Sequence, residues 1–192
     1  MENWEQAAYS FINSLSASSP TPGGGAAAAV SAAMGCALCE MMCGISSNSE
    51  FVSEPSRIFL GKMRPEAAEI KQKLMCRISE DAHAFEEYLK ATKSQDIPPE
   101  KRSEAVQAAL KYAAEVPLDT AILSAAVIDL LRKGRDHFSP RIMSDYYAAE
   151  TLLIAAIKCS AETVRINLKY IKNKEIADSI RKRLSTVLTK ID

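Results

Sequence analysis

The chain has 192 residues, which suits one domain and is enough to bury a hydrophobic core. Hydrophobic residues make up 47% and charged residues 25%, values that argue against a disordered protein. Because 24 basic residues balance 24 acidic ones, no net field favours nucleic acid or an anionic membrane as a partner.

The N-terminus and the cysteines indicate a cellular compartment. Residues Met1 to Glu5 contain no basic stretch followed by an apolar run, so we expect no signal peptide. The five cysteines are an odd number, which favours reduced thiols over a disulfide framework. We therefore expect a cytoplasmic protein.

Helical periodicity runs through the chain, and the alternation typical of strands is nearly absent. The first predicted elements are a helix from Asn3 to Leu15, a loop from Ser16 to Gly25, an Ala-rich helix to about Cys43 that stops at Gly44, and a polar segment from Ser46 to Glu54. Further helices are predicted from Pro55 to Ala91, Pro98 to Val116, Pro117 to Gly134, Ser144 to Tyr170, with Ser144 as the cap, and Glu175 to Leu188. Pro65 is expected to kink or divide the longest helix. We predict an all-α, single-domain bundle of about six to eight helices over residues 1–192, some of them very long.

The Ala-rich helix has an alternative interpretation as a membrane span. From Gly23 to Ile45 only Glu40 is charged. The run consists of Ala, Gly, Ser and Cys rather than Leu, Ile and Phe, so its transfer into lipid is weakly favourable. We expect a helix buried inside the bundle.

The cysteines of this helix have a spacing that resembles a metal site. Cys36, Cys39 and Cys43 share one face, but they lie in a helix among Ala and Met and lack an evident fourth ligand. We interpret them as small buried hydrophobic side chains and predict no metal site. Three methionines of the same helix are also predicted to be core residues: Met34, Met41 and Met42.

One carboxylate of the long third helix lies within an apolar stripe. At about 100° per residue, Asp81 falls about 20° from the centre of the stripe. The other members of the stripe are Met63, Ala67, Ile70, Leu74, Ile78, Phe85, Tyr88 and Leu89. Since an unpaired ionised carboxylate is costly to bury, Asp81 is either a structural hydrogen-bonded or salt-bridged group, or a general acid/base. His83 lies on the opposite side and is expected to be exposed, and neither His83 nor His137 is expected near a nucleophile.

The helix after Ser144 carries a second polar residue, Asn167, near the middle of its apolar face, with Asp145 on the same broad face. A buried amide needs hydrogen-bond partners, so Asn167 makes either a contact between helices or a contact to a ligand. Asp145 and Asn167 are about 33 Å apart along a straight helix. They cannot contact the same few ligand atoms within one subunit.

The segment from Ser19 to Gly25, SPTPGGG, comes directly before the Ala-rich helix. Glycines let backbone N–H groups approach a ligand closely, and a helix N-terminus favours negative charge. The Gly-Lys-Ser/Thr ending of a P-loop and the strand of a dinucleotide fingerprint are both missing. A ligand-binding loop and a tight turn for helix packing both remain open.

Five short elements, taken together, resemble one enzyme family. They are SPTPGGGAAAAVSAAMG, Asp81-Ala82-His83-Ala84-Phe85, Val116-Pro117-Leu118, Ser144-Asp145 with Ala148-Ala149, and Val164-Arg165-Ile166-Asn167-Leu168. In order and spacing they are similar to the formiminotetrahydrofolate cyclodeaminase and methenyltetrahydrofolate cyclohydrolase family. The stretch from His137 to Arg141 differs from the Gly-Asn that many members carry before Ser-Asp, and the Ser46–Glu54 loop also differs.

The resemblance implies an all-helical homodimer that acts on one-carbon tetrahydrofolates, with no metal, no cofactor beyond the folate substrate, and no nucleic-acid or membrane partner. It implies Asp81 as the catalytic acid/base. The substrate-binding residues that it implies are Pro22, Gly23, Gly24, Gly25, Ser144, Asp145 and Asn167. Their separation allows Asp145 and Asn167 to come from different subunits.

Three functions remain open at this point. The favoured one is the cyclodeaminase, which forms methenyltetrahydrofolate and ammonia from formiminotetrahydrofolate. The cyclohydrolase needs the same proton chemistry on nearly the same substrate, so the residues do not separate the two. The third is a non-catalytic folate-binding or scaffold homologue, which the altered loop from Phe138 to Met143 keeps open.

Overall fold

The computed structural model describes residues 3–94 and 96–191, and within these ranges the chain forms α-helices and short 3₁₀ turns without any strand. The helices are α1 (Trp4–Leu15), α2 (Gly24–Ser47), α3 (Glu54–Lys93), α4 (Pro99–Gly134), α5 (Met143–Leu168) and α6 (Lys174–Leu188). Two 3₁₀ turns, Arg135–His137 and Pro140–Ile142, join α4 to α5. The predicted all-α fold is confirmed.

Both interior prolines lie within continuous helices. Pro65 is inside α3 and Pro117 is inside α4, so the predicted division of α4 into two helices is wrong. An interior proline removes one backbone hydrogen bond, but each helix has buried residues on both sides of its proline. The packing of these residues holds the two halves of each helix together.

Two other helix ends differ from the prediction. Helix α2 continues through Gly44 to Ser47, because Cys43 and Ser46 on its last turns are buried in the bundle. Helix α5 begins at Met143, so Ser144 lies in its first turn and is not the N-cap. In both cases the tertiary contacts extend the helix beyond the local stop or start signal.

Helix α2 is the central helix of the bundle and packs against α3, α4 and α5. A Cβ atom on Gly35 would lie 2.8 Å from Cγ of Leu153, so α2 and α5 approach each other to a distance that only glycine allows. Glu40, the only charged residue of the apolar run, pairs with Lys71 of α3 at 2.5 Å. By length and composition α2 would also suffice to span a membrane. Its many buried residues and its paired charge are those of a core helix.

The C-terminal end of α5 is held by a second group of core residues. Leu168 packs there with Leu118 of α4 and Ile180 of α6. The side chain of Gln107 donates a hydrogen bond to the carbonyl of Tyr170 at 3.1 Å and accepts one from the N–H of Lys172 at 2.7 Å. The segment that carries Asn167 is therefore fixed against α4.

The five cysteines are free thiols, of which Cys36, Cys39 and Cys43 are buried. Burial raises the pKa of the Cys36 thiol to about 12, and its Sγ donates a hydrogen bond to the carbonyl of Ala67. In the described ranges no group of three or more His, Cys, Asp or Glu is arranged to hold a metal ion. Of the three methionines predicted to be core residues, Met42 is fully buried, but Met34 and Met41 are exposed and that prediction is wrong for them.

We predict that all five thiols titrate after denaturation without reductant, because each cysteine is a free thiol and none belongs, among the described residues, to a group that could hold a metal ion. The measurement is a thiol titration combined with elemental analysis of protein that has not met a chelator. Stoichiometric zinc, or fewer than five reactive thiols, would contradict the prediction.

The two histidines occupy different environments. His83 is exposed as predicted, with its ring edge towards Tyr112. The expectation that His137 is remote from any nucleophile is wrong, since its Nδ1 lies 2.9 Å from Oγ of Ser56 while its ring stacks on Phe59. This contact joins the start of α3 to the turn after α4, away from the cleft described next.

Candidate active site

A cleft of about 370 Å³ lies between the loop before α2, the C-terminal half of α3, the middle of α4 and the end of α5. Its volume is in the range of small-molecule sites. Its lining residues are Pro20, Thr21, Gly23, Gly24, Gly25, Asp81, Ala84, Phe85, Tyr88, Leu110, Ala113, Thr163, Ile166, Asn167 and Tyr170. The cleft therefore brings together three of the predicted features: the glycine loop, Asp81 and Asn167.

Asp81 is anchored to the first turn of α2. The N–H of Ala26 donates a hydrogen bond to Oδ2 of Asp81 at 2.9 Å. N–H groups in the first turn of a helix have no partner within the helix, and the positive end of the helix dipole stabilises a carboxylate. One N–H group at the end of the glycine loop thus faces the carboxylate of the protein itself.

Gly25 allows this approach. A Cβ atom on Gly25 would lie 2.5 Å from Cγ of Asp81 and closer still to Oδ1. Since non-bonded carbon atoms pack at about 3.5–4.0 Å, any larger residue would occupy the space of the carboxylate. The glycine loop had two open interpretations, a ligand-binding loop and a tight turn for helix packing. At Gly25 the packing interpretation holds. Gly25 also lines the cleft.

Burial makes the ionised form of Asp81 less favourable than it is in water. Burial raises the pKa of the carboxyl above its ordinary value of 3.8, and the hydrogen bond from Ala26 opposes this rise only in part. None of the ion pairs formed by residues 3–94 and 96–191 involves Asp81. The alternative of a buried salt bridge is therefore wrong.

Asn167 makes a contact between helices and also lines the cleft. Its Nδ2 donates a hydrogen bond to the carbonyl of Ala113 in α4 at 2.7 Å. Because a carbonyl only accepts, this contact settles which end of the amide is Nδ2. The other end, Oδ1, accepts no hydrogen bond from the described residues and is available to a ligand.

The walls of the cleft are largely apolar and aromatic. Most of the residues that form these walls were not among the predicted site residues. Phe85 and Tyr88 belong to the same stripe as Asp81, and Thr163 and Tyr170 are four and three residues from Asn167. Helical spacing places both pairs on the face of the predicted residue, so a signal was present. No signal identified Leu110, because the side of α4 that meets the cleft depends on tertiary packing.

Three of the predicted substrate-binding residues do not line the cleft. Pro22 lies in the loop, but its neighbours supply the lining. Ser144 and Asp145 are in the first turn of α5, at the opposite end of that helix from Asn167. Since α5 is continuous, the separation of about 33 Å between Asp145 and Asn167 holds.

A second groove, of about 440 Å³, lies between α5 and α6. Its polar lining consists mainly of Arg165, Lys169 and Arg181, without a carboxylate. The cleft with Asp81 is the better candidate for acid/base chemistry.

Comparison with known proteins decides the family. A family model described as formiminotransferase-cyclodeaminase matches residues 7–186. The chain belongs to the formiminotransferase-cyclodeaminase family. Its motifs predicted this family from the sequence, and that prediction is confirmed.

The relatives within the family carry two kinds of name. Methenyltetrahydrofolate cyclohydrolase of Methylorubrum extorquens is 30% identical over 181 residues, which cover 93% of this chain and 86% of that protein. Formimidoyltransferase-cyclodeaminase of Sus scrofa is 31% identical over 181 residues, and the chain spans 33% of its length. The crystal structure of formiminotetrahydrofolate cyclodeaminase from Thermotoga maritima matches with a TM-score of 0.86 at 29% identity, covering 94% of this chain and 87% of that one.

Proposed function

We propose that this chain is a folate one-carbon enzyme that converts 5-formiminotetrahydrofolate into 5,10-methenyltetrahydrofolate and ammonia. The observation that carries the proposal is the placement of Asp81, which is the only carboxylate among the described residues that line the cleft. Family membership supports the same substrate class.

The reaction requires proton transfers between nitrogen atoms. The anilino nitrogen attacks the formimino carbon, and a tetrahedral carbon bonded to three nitrogens forms. The attacking nitrogen loses a proton, and the departing nitrogen gains protons until it leaves as ammonia. One of these protons comes from the anilino nitrogen and one from solvent, because the product is a cation. Asp81 is the general acid/base that carries them.

The geometry of Asp81 suits this role. Oδ2 accepts the hydrogen bond from Ala26, so Oδ1 is the oxygen that receives and releases the proton. A general acid/base works best when its pKa lies near the working pH, and burial moves the pKa of Asp81 upward in that direction. The chemistry assigned to Asp81 uses no metal and no redox cofactor, since the folate itself carries the one-carbon unit.

The walls of the cleft suit a planar ring system. Phe85, Tyr88 and Tyr170 offer aromatic faces, and Leu110 and Ile166 add apolar surface. Aromatic rings stack on such faces in offset or edge-on arrangements. Asn167 supplies a hydrogen-bond acceptor on the same lining.

A second candidate function is the methenyltetrahydrofolate cyclohydrolase. The relative of that name from Methylorubrum extorquens is matched over most of its length, which favours this candidate. In this reaction water attacks the methenyl carbon, and Asp81 would accept the proton of the water. A non-catalytic homologue is the third outcome that an assay has to separate.

The test is a substrate panel. Purified protein is incubated with formiminotetrahydrofolate and, separately, with methenyltetrahydrofolate, while methenyl absorbance and free ammonia are followed. Ammonia release that matches methenyl formation identifies the cyclodeaminase. Loss of methenyl absorbance well above the buffer rate identifies the cyclohydrolase. Absence of both signals refutes the enzymatic proposal.

We propose further that two copies of the chain associate. The Ala and Gly face of α2 is buried within the chain and is not available to a second copy. The exposed apolar surface is elsewhere: α1 has no buried residue, and large side chains of α1 and α2 are exposed. They include Trp4, Tyr9, Ile12, Met34, Met41 and Ile45. Both helices are almost uncharged, so a second copy with the same apolar faces is the occupant that fits them.

We expect light scattering across a dilution series to give twice the chain mass of 20.9 kDa. A charge at Met41, as in Met41→Glu, is expected to shift the protein towards the monomer, because it would be buried in the interface. Met75→Glu is the matched control, since Met75 is a similarly exposed methionine on α3. A fully active wild-type monomer would contradict the prediction.

A further inference from the structure

Pro117 creates an unpaired carbonyl group in the middle of α4. Proline has no N–H, so the carbonyl of Ala113, four residues earlier, lacks its usual helical hydrogen bond. The proline ring also crowds this carbonyl and tilts it away from the helix axis. Helix α4 therefore offers one backbone acceptor to a neighbouring element.

The neighbour that uses this acceptor is Asn167. Its Nδ2 donates to the carbonyl of Ala113 at 2.7 Å, and both residues line the cleft. The contact joins α4 to α5, close to the point where the side chain of Gln107 binds the backbone after α5. An amide held by its nitrogen has its oxygen in a defined position.

We propose that Pro117 is a positioning residue for the substrate site: it frees the carbonyl of Ala113, which holds Asn167 so that Oδ1 is an oriented hydrogen-bond acceptor in the cleft. This inference rests on the proposed function of the cleft and deepens it. A fixed acceptor recognises an N–H donor, and the pterin ring of a tetrahydrofolate carries such groups. Asn167 therefore contributes to the orientation of the pterin ring, and Pro117 acts through Asn167.

Pro65 provides a comparison within the same chain. It also lies inside a long helix and frees the carbonyl four residues earlier, that of Gly61. Pro65 and Gly61 are exposed, and neither lines the cleft. Both prolines therefore free a backbone carbonyl. Pro117 is buried and its free carbonyl binds Asn167 in the cleft, whereas Pro65 is exposed and lies away from the cleft.

The test is Pro117→Ala, assayed on whichever tetrahydrofolate the wild type converts. The restored N–H competes for the carbonyl of Ala113, so Asn167 loses its anchor. We expect KM to rise about tenfold with little change in kcat, because an interaction made equally in the ground and transition states is lost. The melting temperature is expected to change little, since the better helix propensity of alanine opposes the loss of packing by the buried proline ring. Pro65→Ala should leave KM unchanged.

Measuring Pro117→Ala in the Asn167→Ala background shows whether Pro117 affects KM by positioning Asn167 or by a general change in helix packing. If Pro117 acts through Asn167, Pro117→Ala should have no further effect on KM once Asn167 is alanine. An unchanged KM in Pro117→Ala, or an undiminished effect in the Asn167→Ala background, would overturn the inference.

Melting temperatures give a readout that does not depend on turnover. Asn167→Ala is expected to lower the melting temperature less in the Pro117→Ala background, because the carbonyl of Ala113 then has its own helical donor. An equal loss of melting temperature from Asn167→Ala in the wild-type and Pro117→Ala backgrounds would overturn the inference, whatever reaction the enzyme performs. A wild type without turnover on either tetrahydrofolate contradicts the proposed function instead.

Discussion

Asp81→Asn is expected to lose turnover by at least on the order of a hundredfold while the protein stays folded. Asparagine keeps the size of the side chain, and its oxygen still accepts the hydrogen bond from Ala26. It cannot carry a proton at neutral pH. The measurement is kcat and KM on the converted tetrahydrofolate, with substrate binding largely retained.

The melting temperature of the same variant tests the environment of the carboxylate. Since burial raises the folded pKa of Asp81, this group stabilises the fold fully only at low pH, and the contribution is lost as pH rises above 3.8 and through the folded pKa. A neutral amide in the same place carries no charge and so has no burial penalty of this kind at any pH. We therefore expect the melting temperature of Asp81→Asn to be no lower than that of the wild type at pH 7. Any difference in melting temperature in favour of the variant should disappear in acid.

His83→Ala is the control for this prediction. His83 is two residues from Asp81, on the same helix but on an exposed face. The variant should change neither turnover nor melting temperature appreciably. Turnover of Asp81→Asn near that of the wild type would remove Asp81 from the mechanism, whatever the fate of the folate assignment.

Gly25→Ala is expected to lower kcat on the order of a hundredfold, although the added methyl group carries no chemistry. The new Cβ would occupy the position of the Asp81 carboxylate and force it away from the N–H of Ala26. A displacement of about 1 Å of a reacting group is enough for a loss of this size. The measurement is kcat, together with the pH dependence of kcat/KM. The part of this pH profile that reports the ionisation of Asp81 should shift.

The matched control is Gly61→Ala. A Cβ atom at Gly61 meets no atom within 4 Å, and Gly61 is far from the cleft on the exposed side of α3. The same chemical change should there leave kcat unchanged and stabilise the helix slightly. Equal activity losses in both glycine variants would indicate a general effect on folding.

A double-mutant cycle assigns the cost of Gly25→Ala to Asp81. The three atoms nearest to the new Cβ belong to the carboxyl group of Asp81, which Asp81→Ala removes. Gly25→Ala is expected to destabilise the wild type by about 1–3 kcal/mol through overpacking. It should cost little in the Asp81→Ala background. If Gly25→Ala lowers stability equally in the Asp81→Ala background, the new Cβ collides with atoms other than those of the Asp81 carboxyl group.

The elements of this fold were largely predictable from the sequence, because helical periodicity is a local property. The apolar residues of α3 recur at helical spacing, and this pattern placed Asp81 on the inner face before any tertiary structure was known. The same arithmetic placed Asn167 on the inner face of α5. The motifs around these two residues also led to the family, which the comparisons confirmed.

The continuity of the helices was not predictable from local signals. Pro65, Gly44 and Pro117 are helix-stopping residues, and each lies inside a helix. Contacts with neighbouring helices outweigh the local preference at these positions. The exposure of Met34 and Met41 was missed for the same reason, since the uncovered side of an apolar helix depends on where its neighbours pack.

The sequence by itself determined the helices, the polar residues on their inner faces and the glycine-rich start of α2. Only the tertiary structure decided how these features combine into a site. Asp81 meets Ala26 across 55 residues of sequence, and Asn167 meets Ala113 across 54. Periodicity reports the side of a helix on which a residue lies, but it carries no information about which helix faces that side. The packing of α2, α3, α4 and α5 supplies that information: α2 meets α3 at Gly25 and α5 at Gly35, at distances that leave no room for a side chain.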